Sequence, residues 1–140
     1  MATTTTQKDE GVKIVLTPEK SEELFYDALC NGLSYISDYN LELVYESEEY
    51  KKSREKLKAN TPNNSVCYED VLMQMLRDGY KLSLLDWESE EKQSVTINDV
   101  HQKVQKVGLK HILDCVSGND DANTADAILQ TVFYGEVLFG

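Results

Sequence analysis

The stretch from Thr17 to Ile36 constrains the fold most. Leu24, Phe25, Ala28, Leu29, Leu33 and Ile36 recur at three- and four-residue spacings, with Glu22, Glu23 and Asp27 between them. A helix of about five turns therefore presents one apolar stripe and one charged face. Thr17 is suited to cap it, Pro18 to take its first position and Glu19 to sit at its positive end. Such a stripe must be covered by other elements, so the chain has to build a core around this helix. Gly32 lies within the pattern at a cost of about 1 kcal/mol relative to Ala, which either close packing or a bend there would explain.

The remaining segments supply partners for that stripe. Val12 to Leu16 reads as a short strand entering the helix, and Leu41 to Tyr45 as a weakly alternating strand or an extended connection. Ser47 is expected to cap a surface helix running to about Lys58, whose apolar set is only Tyr50 and Leu57. Ala59 to Ser65 is the clearest loop and a candidate functional loop. Tyr68, Val71, Leu72, Met75 and Leu76 mark an amphipathic helix ended by Gly79. Lys81 to Trp87 reads as a strand, with Ser94 to Ile97 as the return arm of a hairpin.

Thr96 and Asp99 resemble a capping box opening a helix with Ile97, Val100, Val104 and Val107 on one face. A shorter helix places Leu109, Ile112, Leu113 and Val116 inward and stops near Gly118. Asn119, Asp120 and Asp121 open a last helix with Ala125, Ile128, Leu129, Val132 and Phe133 inward. The expected fold is α+β, a helix-rich single domain with a small, mostly antiparallel sheet over residues 12–140. Residues 1–11, with a threonine run and no periodic apolar positions, are expected to form a flexible tail.

Charge narrows the function classes. The 140 residues carry 14 Lys and Arg against 25 Asp and Glu, a net charge of −11, so the overall field repels phosphate backbones. Nucleic acid is not an expected partner. Lys51, Lys52, Arg54, Lys56 and Lys58 are interleaved with Glu48, Glu49 and Glu55 and read as a solvated, ion-paired face. No run reaches the length of a membrane span and residues 1–11 lack the apolar stretch of a signal peptide, so a cytoplasmic protein without membrane association is expected. Cys30, Cys67 and Cys115 are odd in number and widely spaced, as expected of reduced thiols with structural roles.

Candidate chemistry is sparse. His111 and Cys115 are neighbours on one helical face and pair a base with a thiol, with Asp114 or a remote carboxylate as an orienting group, but an ordinary polar face explains them better. His101 joins them only if two helices fold back on each other. Asn119 to Asn123 has the composition of a calcium loop without its spacing, glycine or distal Glu, and helix capping accounts for it. Asp86, Glu88, Glu90 and Glu91 form a candidate acidic surface at the hairpin turn. No phosphate-binding glycine loop, dinucleotide fingerprint or metalloprotease motif occurs, and no catalytic residue, metal site or cofactor is expected.

The carboxyl end is the strongest interaction signal. Tyr134, Val137, Leu138 and Phe139 place large apolar side chains near the terminus, and they either return to the chain's own core or dock on another subunit. Tyr35, Tyr39, Tyr45 and Tyr50 add amphipathic surface. The expected function is thus a small, acidic, non-enzymatic protein-binding or accessory and regulatory protein, with a protein partner and self-association through the C-terminal segment as one form of it. An acidic inhibitor or nucleic-acid mimic directed at a basic partner, and a thiol enzyme using His111 and Cys115, are the alternatives.

Overall fold

The computed structural model describes residues 15–62, 65–117 and 122–138, with positions 109, 115, 116 and 122 described for their backbone alone. Helix α1 spans Pro18–Ile36, with Thr17 Oγ1 accepting the Lys20 N–H at 3.1 Å. A 3-10 turn, Ser37–Tyr39, leads to Asn40 in the left-handed region, φ 63°. Asn tolerates that conformation better than most residues, and it turns the chain directly into strand β1, Leu41–Val44. Helix α2 is Ser47–Ala59, α3 is Tyr68–Arg77, and β2, Leu82–Asp86, forms a hairpin with β3, Glu91–Val95. Helix α4, Ile97–Lys103, runs on as a 3-10 turn to Lys106, followed by α5, Leu109–Val116, and α6, Ala122–Tyr134. The protein is a helix-rich α+β fold with a three-stranded antiparallel sheet.

The sheet order is β1-β2-β3, with Leu43 opposite Leu84 and Leu82 opposite Val95. Side chains alternate across the sheet, so Leu41, Leu82, Leu84 and Val95 share a buried face, while Glu42, Ser83, Lys92 and Ser94 share the other. The core lies between that apolar face and helices α1, α3, α4 and α6. Antiparallel packing of α1 on α6 is its largest element, with Phe25 against Phe133 at one end and Gly32 against Ala125 and Leu129 at the other. A Cβ on Gly32 would meet Ala125 Cβ and Leu129 Cδ1 at 3.0 Å. Close packing, rather than a bend, is therefore what Gly32 serves.

Several local expectations are corrected. Val15 is 82% exposed and Leu16 gives its N–H to Gln105 Oε1 at 3.0 Å, so neither pairs with a strand; residues 12–14 lie outside the described residues. Ser47 is the first residue of α2 rather than its cap. The hairpin turn is Trp87–Glu90, which makes Glu91 the start of β3 and gives Ile97 to α4. Leu113, expected inward, is 55% exposed. The thinly apolar α2 is held by polar chemistry instead: Asp78, just after α3, accepts hydrogen bonds from the buried Ser53 hydroxyl at 2.8 Å, from Lys56 Nζ at 2.9 Å and from Gln74 Nε2 at 2.8 Å. Burial would raise the Asp78 carboxyl, but these three donors outweigh it and hold it below the usual carboxylate range. The tail at 1–11 lies outside the described residues, as do Pro62's neighbours at 63 and 64 and the segment from Gly118 to Asp121.

Candidate functional site

Among the described residues β1 is an edge of the sheet, and its register fixes which groups it turns away from β2. Trp87 N–H donates to Asn40 C=O at 3.0 Å. With Leu41 opposite Asp86, the hydrogen-bonded pairs are then 40/87, 42/85 and 44/83. The N–H and C=O groups of Leu41 and Leu43 consequently point away from β2, toward the open edge.

A groove of about 300 Å³ with a mixed polar and apolar lining runs along that edge, lined by Leu33, Ile36 and Ser37 of the α1 end, Leu41, Glu42 and Leu43 of β1, and Tyr68 at the start of α3. Consecutive strand side chains point to opposite faces. A hollow lined by three successive strand residues therefore follows the backbone edge and not one face. Leu33 sits at the flank of the core stripe and is only half-buried, although Ile36 one turn further along α1 is fully covered. The Tyr68 wall is braced by Tyr45 and Tyr50: the Tyr45 and Tyr50 rings stack with centroids 5.2 Å apart, and the Tyr45 hydroxyl donates to Tyr68 Oη at 3.0 Å. Burial and then that hydrogen bond raise the Tyr68 phenol above the ordinary range.

A neighbouring face of α1 runs from Leu33 toward the N-terminus through Cys30, Tyr26, Glu23 and Glu19, at alternating three- and four-residue spacings. It ends in a hollow of about 400 Å³ lined by Glu19, Glu22, Glu23, Tyr26, Leu57, Asp70 and Arg77. The basic groups at these carboxylates are committed: Arg77 Nε donates to Glu22 Oε1 at 2.8 Å, His101 Nε2 lies 2.8 Å from Glu22 Oε2, and Lys20 Nζ donates to Glu23 Oε1 at 2.6 Å. Burial would raise Glu22, but hydrogen bonds from His101 and Arg77 bring it below the usual range. An edge groove and an acidic hollow thus lie on one side of the molecule, about 20 Å apart along α1.

The residues singled out from sequence are dispersed. Asp86 Oδ1 accepts the Glu88 and Ser89 N–H groups and so organises the hairpin turn, and Glu90 sits there at φ 63°. Glu88 accepts from Asn40 Nδ2 at 3.3 Å and Glu42 from Trp87 Nε1 at 3.1 Å, which brings these two carboxylates to the same end of the sheet. Glu46 and Glu49 instead share a separate hollow with Lys81 and Lys92. His111 Nδ1 lies 3.5 Å from Thr124 Oγ1 on α6, and His101 is engaged by Glu22 rather than joining it. The Cys115 side chain lies outside the described residues.

At the carboxyl end the buried Gln130 side chain accepts the Leu138 N–H at 2.7 Å, so the segment after α6 folds back on its own chain, while Val137 and Leu138 are each 53% exposed. Tyr134 is packed on the core, and burial with a smaller push from Asp86 raises its phenol. Phe139 lies outside the described residues. Among the described residues no group of three or more metal-ligating side chains is placed to hold an ion, and no helix is long and apolar enough to cross a membrane. The sequence signal that could have found the groove is the short LELV run next to a helix stripe ending in Leu33; the ladder phase that frees Leu41 and Leu43 has no local signature. No protein-family model, curated protein or solved structure matches the chain.

Proposed function

We propose that this protein is a non-enzymatic binding module, an accessory or regulatory factor that adds an extended segment of a basic partner protein to the free edge of β1. One observation carries the reading: the groove follows an edge whose Leu41 and Leu43 backbone groups point outward. Strand addition uses main-chain hydrogen bonds for affinity and flanking pockets for side-chain selection. Four outward groups supply up to four hydrogen bonds of about 1 kcal/mol net each, with apolar side chains entering between Leu33, Leu43 and Tyr68. Charge complementarity selects a basic partner, since the chain is net −11 and the same face of α1 leads from the groove to a hollow lined by Glu19 and Asp70, with Glu23 beside them paired to Lys20. Dispersal of the other carboxylates, with Glu46 and Glu49 facing lysines, favours this groove over a phosphate-mimicking surface.

The test is selection of displayed random peptides on the full chain, followed by calorimetric titration of synthetic winners. Extended peptides with two alternating apolar residues and flanking Lys or Arg should bind with micromolar affinity, and Leu43→Pro and Leu33→Asp, checked for folding by circular dichroism, should each weaken binding at least tenfold. Winners that bind both variants as well as the parent would overturn the proposal. A second copy is the competing occupant, because Val137 and Leu138 are exposed on the same chain. Like net charges oppose it, and a concentration-dependent dimer by light scattering that a chain ending at Gly135 no longer forms would replace the basic partner with that occupant.

A further inference from the structure

Between the groove and the acidic hollow, two thiols meet one phenol. Tyr26 and Cys30 are four residues apart on α1 and therefore neighbours on one face. From the other side, Cys67, the residue preceding α3, brings its Sγ to 3.6 Å from Tyr26 Oη. Cys30 also hydrogen-bonds to Tyr26, and both cysteines are exposed. The Asp70 carboxylate first, then the Cys67 sulfur and burial, raise the Tyr26 phenol above its ordinary range. Burial would raise the Asp70 carboxyl, but the hydrogen bonds from Tyr26 and Cys67 hold it below its usual range. Tyr26 thus lies beside two accessible sulfurs, one on its own helix and one at the start of α3.

We infer that Cys30 and Cys67 form an oxidisable dithiol that hydrogen peroxide closes to a disulfide stapling α1 to the start of α3. Cys67, which stands at the N-terminus of α3, is assigned as the first nucleophile. Its sulfur attacks the peroxide; an S–O bond forms, the O–O bond breaks and one water leaves, giving a sulfenic acid. Cys30 sulfur then attacks Cys67 sulfur; the S–S bond forms, the S–O bond breaks, and hydroxide leaves with the Cys30 proton as a second water. Two thiols and one peroxide thus yield one disulfide and two waters, with the two sulfurs supplying the two electrons. Leu33, one turn beyond Cys30, and Tyr68, next to Cys67, both line the groove, so the staple fixes one of its walls. That consequence rests on the binding reading, whereas the disulfide does not.

The experiment is titration of the reduced full-length protein with hydrogen peroxide, followed by intact mass measurement and non-reducing peptide mapping. The expected result is loss of two hydrogens, a single intramolecular Cys30–Cys67 linkage reversed by dithiothreitol, and a raised melting temperature. Cys115→Ser should behave identically, and Cys30→Ser and Cys67→Ser should not gain the mapped linkage. Linkage of either residue to Cys115, intermolecular dimers only, or oxidation of each thiol to a sulfinic acid without a linkage would overturn the inference. Because no partner is used, these outcomes are independent of whether the groove binds a peptide.

Discussion

Replacing Asp78 with Ala tests the claim that polar anchoring holds α2 where apolar packing is thin. Asp78 gathers Ser53, Lys56 and Gln74, and its side chain is only 12% exposed. The three bonds are unequal. Lys56 is 60% exposed, so its ion pair is screened and worth a few tenths of a kcal/mol. Gln74 contributes about 1 kcal/mol, and Ser53, fully buried, becomes an orphaned hydroxyl at a cost of about 1–3 kcal/mol. The variant should lose about 3 kcal/mol in urea denaturation, about 10 °C in melting temperature for a chain of this size. Ser53→Ala combined with Asp78→Ala should recover about 1 kcal/mol of that loss, since both halves of the buried pair are then gone. Asp78 is depressed when folded, so its contribution is present above about pH 4 and disappears as pH falls through the folded-state value. A loss below about 0.5 kcal/mol, or no recovery in the double variant, would refute the reasoning.

Three further outcomes follow from named contacts. Gly32→Ala gains about 1 kcal/mol of helix propensity but drives a Cβ to 3.0 Å from Ala125 Cβ and Leu129 Cδ1 and 3.2 Å from the Ala125 backbone; overpacking of about 1–3 kcal/mol wins, and a more stable variant in thermal denaturation contradicts the close-packing account. Glu22→Gln loses about 1 kcal/mol at neutral pH, discounted because Arg77 is half-exposed. Glu22 is depressed when folded, so the gap to the parent should close as pH falls below about 4, and a gap independent of pH counts against the His101 and Arg77 contacts as its origin. Glu90→Gly relieves a left-handed residue at φ 63° and should stabilise by about 0.5–1 kcal/mol; destabilisation in the same melt shows that the Glu side chain itself supports the turn.

Much of the fold was legible because local rules agree with it. Thr17-Pro18 opens α1, the Thr96–Asp99 pair caps α4 with Asp99 Oδ2 accepting the Thr96 N–H at 2.9 Å, and Gly79 and Gly108 follow helices at positive φ. The errors fall where long-range geometry decides. Leu33 and Leu113 satisfy the apolar period, yet Leu33 is only half-buried at the flank of the stripe and Leu113 is exposed, and Val15 and Leu16 carry strand-forming side chains but have no neighbouring strand among the described residues. The site was less legible than the fold. Glu22 gathers residues 55 and 79 positions away, and the approach of Cys67 to Tyr26 depends on how α1 packs on α3. Neither has a spacing that a single sequence can display. The carboxyl-terminal signal was legible as apolar but not as tethered, because Gln130, buried in the last helix, supplies the tether.

The central claim is that Leu41 and Leu43 offer a free backbone edge, and amide hydrogen exchange followed by NMR tests it most directly. In the free protein the Leu41 and Leu43 amides should exchange much faster than those of Glu42 and Val44, which are bonded to β2. On saturation with a selected peptide the two leucine amides should slow by at least tenfold while Glu42 and Val44 change little. Slow exchange at Leu41 and Leu43 in the free protein, or no protection there in a saturated complex, would contradict strand addition at β1.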